Sequence, residues 1–205
     1  MGILKLHLGC GKRQLPGFVH VDLANFPHVD YRHSVDRLKM FPDGSADLIY
    51  ASHVLEYFDR FEAKRVLMEW NRVLCASGAL RLAVPDFRAL AEVYFESGKL
   101  DLILGPLYGR MEIPGIESVI YHRTAYDFEA LKELLEHSGF GDVHPYDWRQ
   151  TIHRHVDDHS QAYVPHMNKE SGKLVSLNVE CTKVPKRQSE VAAAGGSASR
   201  GIEPN

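Results

Sequence analysis

Residues 4–11 read Leu-Lys-Leu-His-Leu-Gly-Cys-Gly, and residues 18–22 read Phe-Val-His-Val-Asp. Each stretch contains a short apolar run of the kind that forms a buried β-strand. The first stretch ends in a glycine turn, and the second ends in a carboxylate. Glycine has no Cβ atom, so a ligand can approach the backbone of such a turn closely. A carboxylate at the end of the next strand can accept both hydroxyl groups of a ribose, and the combination is typical of nucleoside binding in open α/β sheets.

The glycine turn lacks one feature of dinucleotide-binding proteins. Their fingerprint has a third glycine three residues after the second. Position 14 is Gln in this chain. The sequence therefore favours a nucleoside-containing ligand other than NAD.

Strands and helices alternate along the rest of the chain. Helical periodicity is clearest around Trp70, where apolar residues recur on one face. The predicted strands are Leu4–Leu8, Phe18–Asp22, Ala46–Ala51, Leu80–Val84, Val143–Trp148 and Ser176–Val184, and the predicted helices are Arg60–Cys75, Glu92–Leu104 and Tyr126–His137. This order predicts an α/β fold with a doubly wound, mostly parallel sheet and helices on both faces.

Length and composition set the wider expectations. The 205 residues carry a net charge of −3, with 44% hydrophobic and 25% charged residues, which is ordinary for a globular protein. We expect one domain over residues 1–185 and a disordered tail over 186–205, where aromatic residues are lacking. Three widely spaced cysteines and the lack of a signal peptide indicate a cytoplasmic protein. The mildly acidic net charge gives no reason to expect a nucleic-acid partner, and the lack of a long apolar run gives none to expect membrane insertion. A homo-oligomer is possible, and the oligomeric state stays open.

Several motifs together resemble the class I, Rossmann-like family of S-adenosylmethionine (SAM)-dependent methyltransferases. They are Leu-His-Leu-Gly-Cys-Gly at 6–11, Pro-Gly-Phe-Val-His-Val-Asp at 16–22, the stretch from Phe-Pro-Asp-Gly to Leu-Glu-Tyr-Phe at 41–58, the segment 70–86, and Leu-Leu-Glu-His-Ser-Gly-Phe at 134–140. The resemblance implies SAM as cofactor and an antiparallel last strand. Asp22 follows Gly11 by only eleven residues, so the helix between the first two strands must be very short or replaced by a loop. Such shortened forms resemble methyltransferase-like proteins of bacterial polysaccharide gene clusters.

The same resemblance implies a set of cofactor contacts at the strand ends. The glycine turn would lie against methionine and ribose, and Asp22 would bind the ribose hydroxyls. Asp36, just before Leu38, would contact adenine, and Ser52 would face the sulfonium. The full predicted set is Gly9, Cys10, Gly11, Asp22, Asp36, Leu38 and Ser52.

Methyl transfer to a hydroxyl requires in-line alignment and a base that removes a proton. Histidine is the side chain best suited to this near neutral pH. His53, at a strand end, and His122, before a predicted helix, are the candidate catalytic bases; each could instead be a hydrogen-bonded structural histidine. Asp86 is a candidate substrate-binding carboxylate or a turn residue held by the preceding proline.

A second polar cluster lies in the long connection Arg149–Leu174. In an extended chain, His153, His155, Asp157 and His159 would share one face. They could line the acceptor pocket, lie in a solvated loop or hold a divalent metal, although no established metal-ligand spacing is matched. We predict an acceptor wall and no metal, with Asp86, His155, His159, Tyr163 and His166 as substrate-binding residues.

The predicted reaction is transfer of a methyl group from SAM to a small acceptor, first of all a hydroxyl of a sugar or glycan precursor. Two alternatives stay open. One is a methyltransferase that acts on a non-carbohydrate metabolite, and the other is a catalytically silent SAM-binding partner of a glycosyltransferase. A nucleotide-sugar oxidoreductase is disfavoured by the missing third glycine.

Overall fold

A seven-stranded sheet forms the centre of the computed structural model, which describes residues 2–166 and 168–185. Its strands are β1 (Lys5–Leu8), β2 (Val19–Asp22), β3 (Tyr31–Arg32), β4 (Ala46–Ser52), β5 (Leu74–Pro85), β8 (Phe140–Pro145) and β11 (Ser176–Lys183). They are ordered β3-β2-β1-β4-β5-β11-β8. The last strand, β11, is antiparallel to both of its neighbours, and the other strands are parallel to one another. The predicted fold class and its antiparallel last strand are confirmed.

Four helices and two small hairpins complete the described part of the chain. The helices are α1 (Glu62–Val73), α2 (Phe87–Ser97), α3 (Asp101–Tyr108) and α4 (Phe128–Glu136). One hairpin joins β6 (Arg110–Glu112) to β7 (Val119–Tyr121), and the other joins β9 (Tyr163–Val164) to β10 (Lys173–Leu174). Single 3₁₀ turns cover Leu55–Tyr57, Trp148–Gln150 and His159–Gln161.

The main core lies on one face of the sheet, where α1 and α4 pack. Alternate residues of the strands, such as Leu8 in β1 and Ile49 in β4, point into it because successive side chains of a strand face opposite sides. Trp70 of α1 is fully buried there, and its indole nitrogen donates a hydrogen bond to the Val35 carbonyl at 2.9 Å. This face carries the largest continuous apolar cluster and so supplies most of the hydrophobic stabilisation.

The opposite face carries polar and aromatic side chains instead. His7 of β1 and Tyr50 of β4 are buried there, although no helix joins β1 to β2. Leu15 and Phe18 of the connecting loop pack against Tyr50, together with Val156 from the long connection. As the short spacing predicts, a loop has replaced the first helix.

Other boundaries differ from the sequence predictions. The single helix expected over Glu92–Leu104 is two helices, because Gly98 adopts φ 64° and ends α2. The strand predicted at Val143–Trp148 begins and ends earlier, as β8. The hairpin β6–β7 was not predicted, since its strands are short and exposed. The tail predicted over 186–205 lies outside the described residues. Among the described residues, no helix combines the length and apolar character needed to cross a bilayer.

Candidate functional site

A cavity of about 450 Å³ opens at the carboxyl ends of β1, β2 and β4. Parallel strands of a doubly wound sheet present their ligand sites at this edge. Its walls come from the glycine turn after β1, the end of β2, the segment after β4, the hairpin β6–β7 and the long connection. The lining residues used below are Gly9, Cys10, Gly11, Lys12, Arg13, Asp22, Leu23, Val35, Ser52, His53, Tyr57, Arg110, Glu112, Asp158 and His159.

The Asp22 carboxylate is fixed by two backbone donors. Its Oδ2 accepts a hydrogen bond from the Gly11 amide at 2.8 Å, and its Oδ1 accepts one from the Ala24 amide at 2.7 Å. Each carboxylate oxygen has a further lone pair for a ligand. The end of β2 therefore presents an oriented acceptor beside the glycine turn, as ribose hydroxyls require.

The two glycines of the turn serve different purposes. Both have positive φ, 63° at Gly9 and 53° at Gly11. A Cβ atom at Gly9 would overlap the Val54 side chain, whereas one at Gly11 would meet no atom within 4 Å. Gly9 is therefore required by packing inside the protein, and Gly11 presents bare backbone to the cavity.

Cys10, between these glycines, is a buried thiol. Burial, and secondarily the charge of Asp22, raises the pKa of Cys10 to about 12, so it stays protonated at neutral pH. Its Sγ lies 3.8 Å from His28 Nε2, and the same nitrogen lies 3.0 Å from the Gly11 carbonyl oxygen. Cys10 thus offers a soft, neutral surface, in contrast to a reactive thiolate.

The lining fits the three parts of SAM. Asp22 suits the ribose hydroxyls, and the cations Lys12 and Arg13, directly after the turn, suit the methionine carboxylate. Leu23 and Val35 supply apolar surface for a purine ring. A SAM ligand held by these residues would place a reactive methyl group within the cavity.

Asp36 and Leu38 lie away from this cavity. Leu38 is fully buried in the main core, and its amide donates to Glu69 Oε1 at 2.7 Å. The Asp36 carboxylate accepts a hydrogen bond from the Ser34 hydroxyl. The turn after β3 brings Ser34 and Val35 to the cavity instead of the predicted Asp36 and Leu38.

His53 ends β4 next to Ser52, and both residues line the cavity. Its backbone has φ 55°, a conformation that non-glycine residues rarely adopt. Its ring is almost fully buried, with Nε2 at 3.1 Å from Ser176 Oγ and Nδ1 at 3.3 Å from Glu56 Oε1. Burial, followed by the nearby His159 and His122, lowers the pKa of His53 well below its ordinary value. Both ring nitrogens therefore face protein groups rather than a free acceptor position.

His122 does not line the cavity. Its Nδ1 lies 3.0 Å from the Pro106 carbonyl oxygen, and its Nε2 lies 3.8 Å from Glu56 Oε1. The ring also packs against Gly109, where a Cβ atom would collide with it. Its position is that of a structural histidine, so the predicted role as a base facing the acceptor needs correction.

The long connection is not extended, so the predicted common face of its histidines does not form. Turns and a 3₁₀ helix bury His153 beside Tyr50, with ring centroids 4.2 Å apart. His155 and His166 are exposed outside the cavity. His159 alone among the four predicted cluster residues lines it. Within residues 2–166 and 168–185, no three His, Cys, Asp or Glu side chains are grouped as metal ligands.

Two further predicted substrate residues have structural partners elsewhere. Asp86 caps α2, accepting hydrogen bonds from the amides of Arg88 and Ala89. Tyr163 is buried, and its hydroxyl accepts a hydrogen bond from Arg149 at 2.8 Å. Neither side chain lines the cavity.

Some residues of the site were missed from the sequence. Asp158 is not among the predicted site residues; it lines the cavity and accepts a 2.6 Å hydrogen bond from the Tyr50 hydroxyl. Arg110 and Glu112 reach the site on the unpredicted hairpin and form an ion pair at 2.7 Å. The Pro114-Gly115 pair between two short runs was the available turn signal. Glu56 does not line the cavity but lies against His53, and it was missed because a lone acidic residue in an apolar run carries no pattern.

Comparison with known proteins agrees with this geometry. A family model described as a methyltransferase domain matches residues 16–82, about a third of the chain. None of the curated protein sequences matches.

Solved structures match over most of the chain. A SAM-dependent methyltransferase of Archaeoglobus fulgidus is 18% identical, with a TM-score of 0.53, covering 89% of this chain and 87% of its own. One from Mesorhizobium loti is 16% identical, with a TM-score of 0.50 and coverage of 89% and 91%. The Burkholderia thailandensis 1,6-didemethyltoxoflavin-N1-methyltransferase, solved with S-adenosylhomocysteine (SAH), is 15% identical, with a TM-score of 0.53 and coverage of 89% and 71%. The likeness shows the class I methyltransferase fold, and the methyltransferase-domain match over residues 16–82 agrees with it.

Proposed function

We propose that this protein transfers a methyl group from SAM to a hydroxyl of a small polar acceptor, a sugar or glycan precursor. The observation that carries the proposal is the shared cavity, which contains the oriented Asp22 carboxylate at one wall and the His159 imidazole at another. The first group suits the nucleoside of the cofactor, and the second suits removal of the acceptor proton.

SAM, when bound, supplies a methyl group on a positively charged sulfur that is a good leaving group. The protein's part is then to bind, to align and to accept a proton. Asp22 and the bare backbone at Gly11 would orient the ribose, and Lys12 and Arg13 would hold the carboxylate end. Ser52, at the end of β4, would border the reacting methyl group.

His159 is the base that the geometry supports best. Within the described chain, neither of its ring nitrogens has a hydrogen-bond partner, in contrast to His53 and His122. His159 is exposed as a residue, but the protein around its ring partly desolvates it; this desolvation, and then the charge of Arg13, lowers the pKa of His159 below its ordinary value. The imidazole is therefore neutral at pH 7 and able to accept the hydroxyl proton.

The acceptor side of the cavity combines polar and apolar side chains. Tyr57, Arg110, Glu112 and Asp158 supply hydrogen-bonding groups, and Phe58, Met111, Ile113 and Ile120 supply apolar surface. The polar groups match the hydroxyls of a sugar and the apolar ones match the C–H faces of its ring, and this supports the proposed carbohydrate acceptor. Trp148, just before the long connection, and Tyr163 within it do not line the cavity.

Calorimetric titration tests the cofactor assignment. SAM and SAH should bind with one-to-one stoichiometry, and NAD should not bind. Binding of NAD without SAH binding would refute the methyltransferase proposal.

Turnover of a panel of sugars and nucleotide sugars with SAM tests the reaction. His159→Ala should lower kcat roughly 100-fold, the lower range for a lost general base, and leave SAH affinity within a few-fold. His155→Ala is the matched control, because this exposed histidine lies four positions away and outside the cavity. SAH binding with no turnover on any acceptor class would favour a silent binding module, and equal activity of both variants would remove His159 as the base.

A further inference from the structure

Glu56 is a fully buried carboxyl group that the proposed reaction leaves unexplained. Within the described chain, neither of its oxygens has a hydrogen-bond partner by normal geometry. Two imidazole nitrogens face Oε1, His53 Nδ1 at 3.3 Å and His122 Nε2 at 3.8 Å. A buried charge without partners is costly, so the protonation state of this group matters.

A chain of hydrogen bonds fixes the proton on His53. The Asn178 side-chain amide donates to the Ser160 carbonyl at 2.8 Å, which leaves its Oδ1 as an acceptor. The Ser176 hydroxyl donates to that oxygen at 3.0 Å, so Ser176 Oγ must accept from His53 Nε2. A neutral His53 then has its hydrogen on Nε2 and a lone pair on Nδ1, directed at Glu56.

His122 presents a lone pair to the same carboxyl group. Its Nδ1 faces the Pro106 carbonyl oxygen, which can only accept, so Nδ1 carries the hydrogen. In neutral His122, Nε2 is therefore the acceptor, and it points at Glu56 Oε1. An ionised Glu56 would face two lone pairs, whereas a protonated one donates a hydrogen bond.

We infer that Glu56 is protonated at neutral pH and is a positioning residue, which keeps its proton, directs it as a hydrogen bond to His53 Nδ1 and holds this imidazole beside His159. The inference rests on the proposed function, because His159 is the base assigned there. The ring centroids of His53 and His159 are 5.2 Å apart, so a shift of His53 would move the neighbour that flanks the base.

The surroundings agree with a neutral carboxyl group. Burial raises the pKa of Glu56 to about 8. The phenols of Tyr57 and Tyr126 have raised pKa values, due to burial and then to Glu56, and so stay neutral as well. Arg123 contributes its amide to the Glu56 carbonyl, while its guanidinium is held by Asp59 and Glu62. The titratable groups facing Glu56 are thus two neutral histidines and two tyrosines.

Two substitutions separate a protonated Glu56 from an ionised one. In Glu56→Gln, the amide can donate to His53 Nδ1 in place of the carboxylic proton. In Glu56→Met, the side chain has similar length and no donor. At pH 7, Glu56→Gln should keep kcat within about threefold of wild type, while Glu56→Met should lower kcat at least tenfold with SAH affinity and KM within about threefold. Above pH 8, wild-type kcat should fall and that of Glu56→Gln should not.

Infrared spectroscopy gives a readout that does not depend on activity. The wild type at pH 7 should show a protonated carboxylic acid band that Glu56→Gln lacks, even if no acceptor is ever methylated. A missing band, or a Glu56→Gln variant as impaired as Glu56→Met, would overturn the inference in favour of an ionised Glu56 paired with a protonated histidine. If Glu56→Met fails to fold, the Glu56→Gln profile and the infrared band still decide.

Discussion

Substitution of the two turn glycines by alanine separates packing from ligand access. In Gly9→Ala, the residue keeps φ 63°, and this left-handed conformation costs an L-residue roughly 1–2 kcal/mol. The new Cβ atom would also lie less than 3.0 Å from the Val54 side chain. Overpacking of this kind costs roughly 1–3 kcal/mol, so Gly9→Ala should lower the free energy of unfolding by about 2–5 kcal/mol.

Gly11→Ala is the matched comparison. Its φ of 53° carries the same backbone cost, but the added methyl group would meet nothing within 4 Å. We therefore expect a loss of only about 1–2 kcal/mol of stability. Because the space in front of Gly11 belongs to the cavity, SAH affinity should fall at least tenfold in a folded protein.

Urea unfolding and SAH calorimetry measure both effects. In Gly9→Ala/Val54→Ala, the overlapping methyl groups are removed, so the double variant should lose less stability than the two single variants added together. Strict additivity would refute the packing role of Gly9. Normal SAH affinity in Gly11→Ala would refute the assignment of the open space to the cofactor.

Three further predictions concern other parts of the structure. Asp22→Ala should weaken SAH binding ten- to a hundredfold by calorimetry, because a charge-assisted acceptor is lost, whereas Asp30→Ala at the other end of the loop after β2 should not. Asp86→Ala should lower the free energy of unfolding, measured in urea, by about 0.5–2 kcal/mol, because α2 loses its N-cap, and SAH affinity should not change. A weaker SAH affinity would indicate that Asp86 belongs to the binding site. Folding raises the pKa of Glu56 from 4.5 to about 8, so between these pH values the native state binds one proton more than the unfolded state. The free energy of unfolding of the wild type should therefore fall by about 3 kcal/mol between pH 4.5 and pH 7. Glu56→Gln should lack this part of the slope in urea titrations, and parallel slopes would contradict a protonated Glu56.

The sequence was most informative where a pattern is local. The glycine turn, the apolar runs of β1 and β4 and the carboxylate that ends β2 each follow from neighbouring residues, and the structure gathers Gly9, Gly11, Asp22, Ser52 and His53 around one cavity. The resemblance added the antiparallel last strand. Together they predicted the fold class, and the short spacing between Gly11 and Asp22 predicted a first helix that is very short or replaced by a loop.

The acceptor side could not be predicted in the same way. It is formed by side chains whose direction depends on tertiary contacts, such as Asp158, which is held by Tyr50 across 108 positions of sequence. The prediction that alternate residues of the long connection share one face was wrong because this segment is not extended. Its backbone forms turns in which the Ser160 amide donates to Asp158 and the Gln161 side chain donates to the Val156 carbonyl. Histidine identity alone also could not reveal that His53 and His122 both face Glu56.

The short connection between β1 and β2 explains why the long connection reaches the site. Without a helix there, the sheet face around His7 and Tyr50 needs another cover, because buried aromatic surface cannot stay in contact with water at low cost. The loop after the glycine turn supplies Leu15 and Phe18, and the long connection supplies Val156.

Contacts at the cavity hold this substitute cover in place. The Arg13 Nε donates to the Asp157 carbonyl at 2.9 Å, and the Tyr50 hydroxyl donates to Asp158. The next residue along is His159, so the same packing that replaces the missing helix carries the proposed base to the cavity. The loss of the first helix therefore accounts both for the short spacing between Gly11 and Asp22 and for the location of His159 at the cavity.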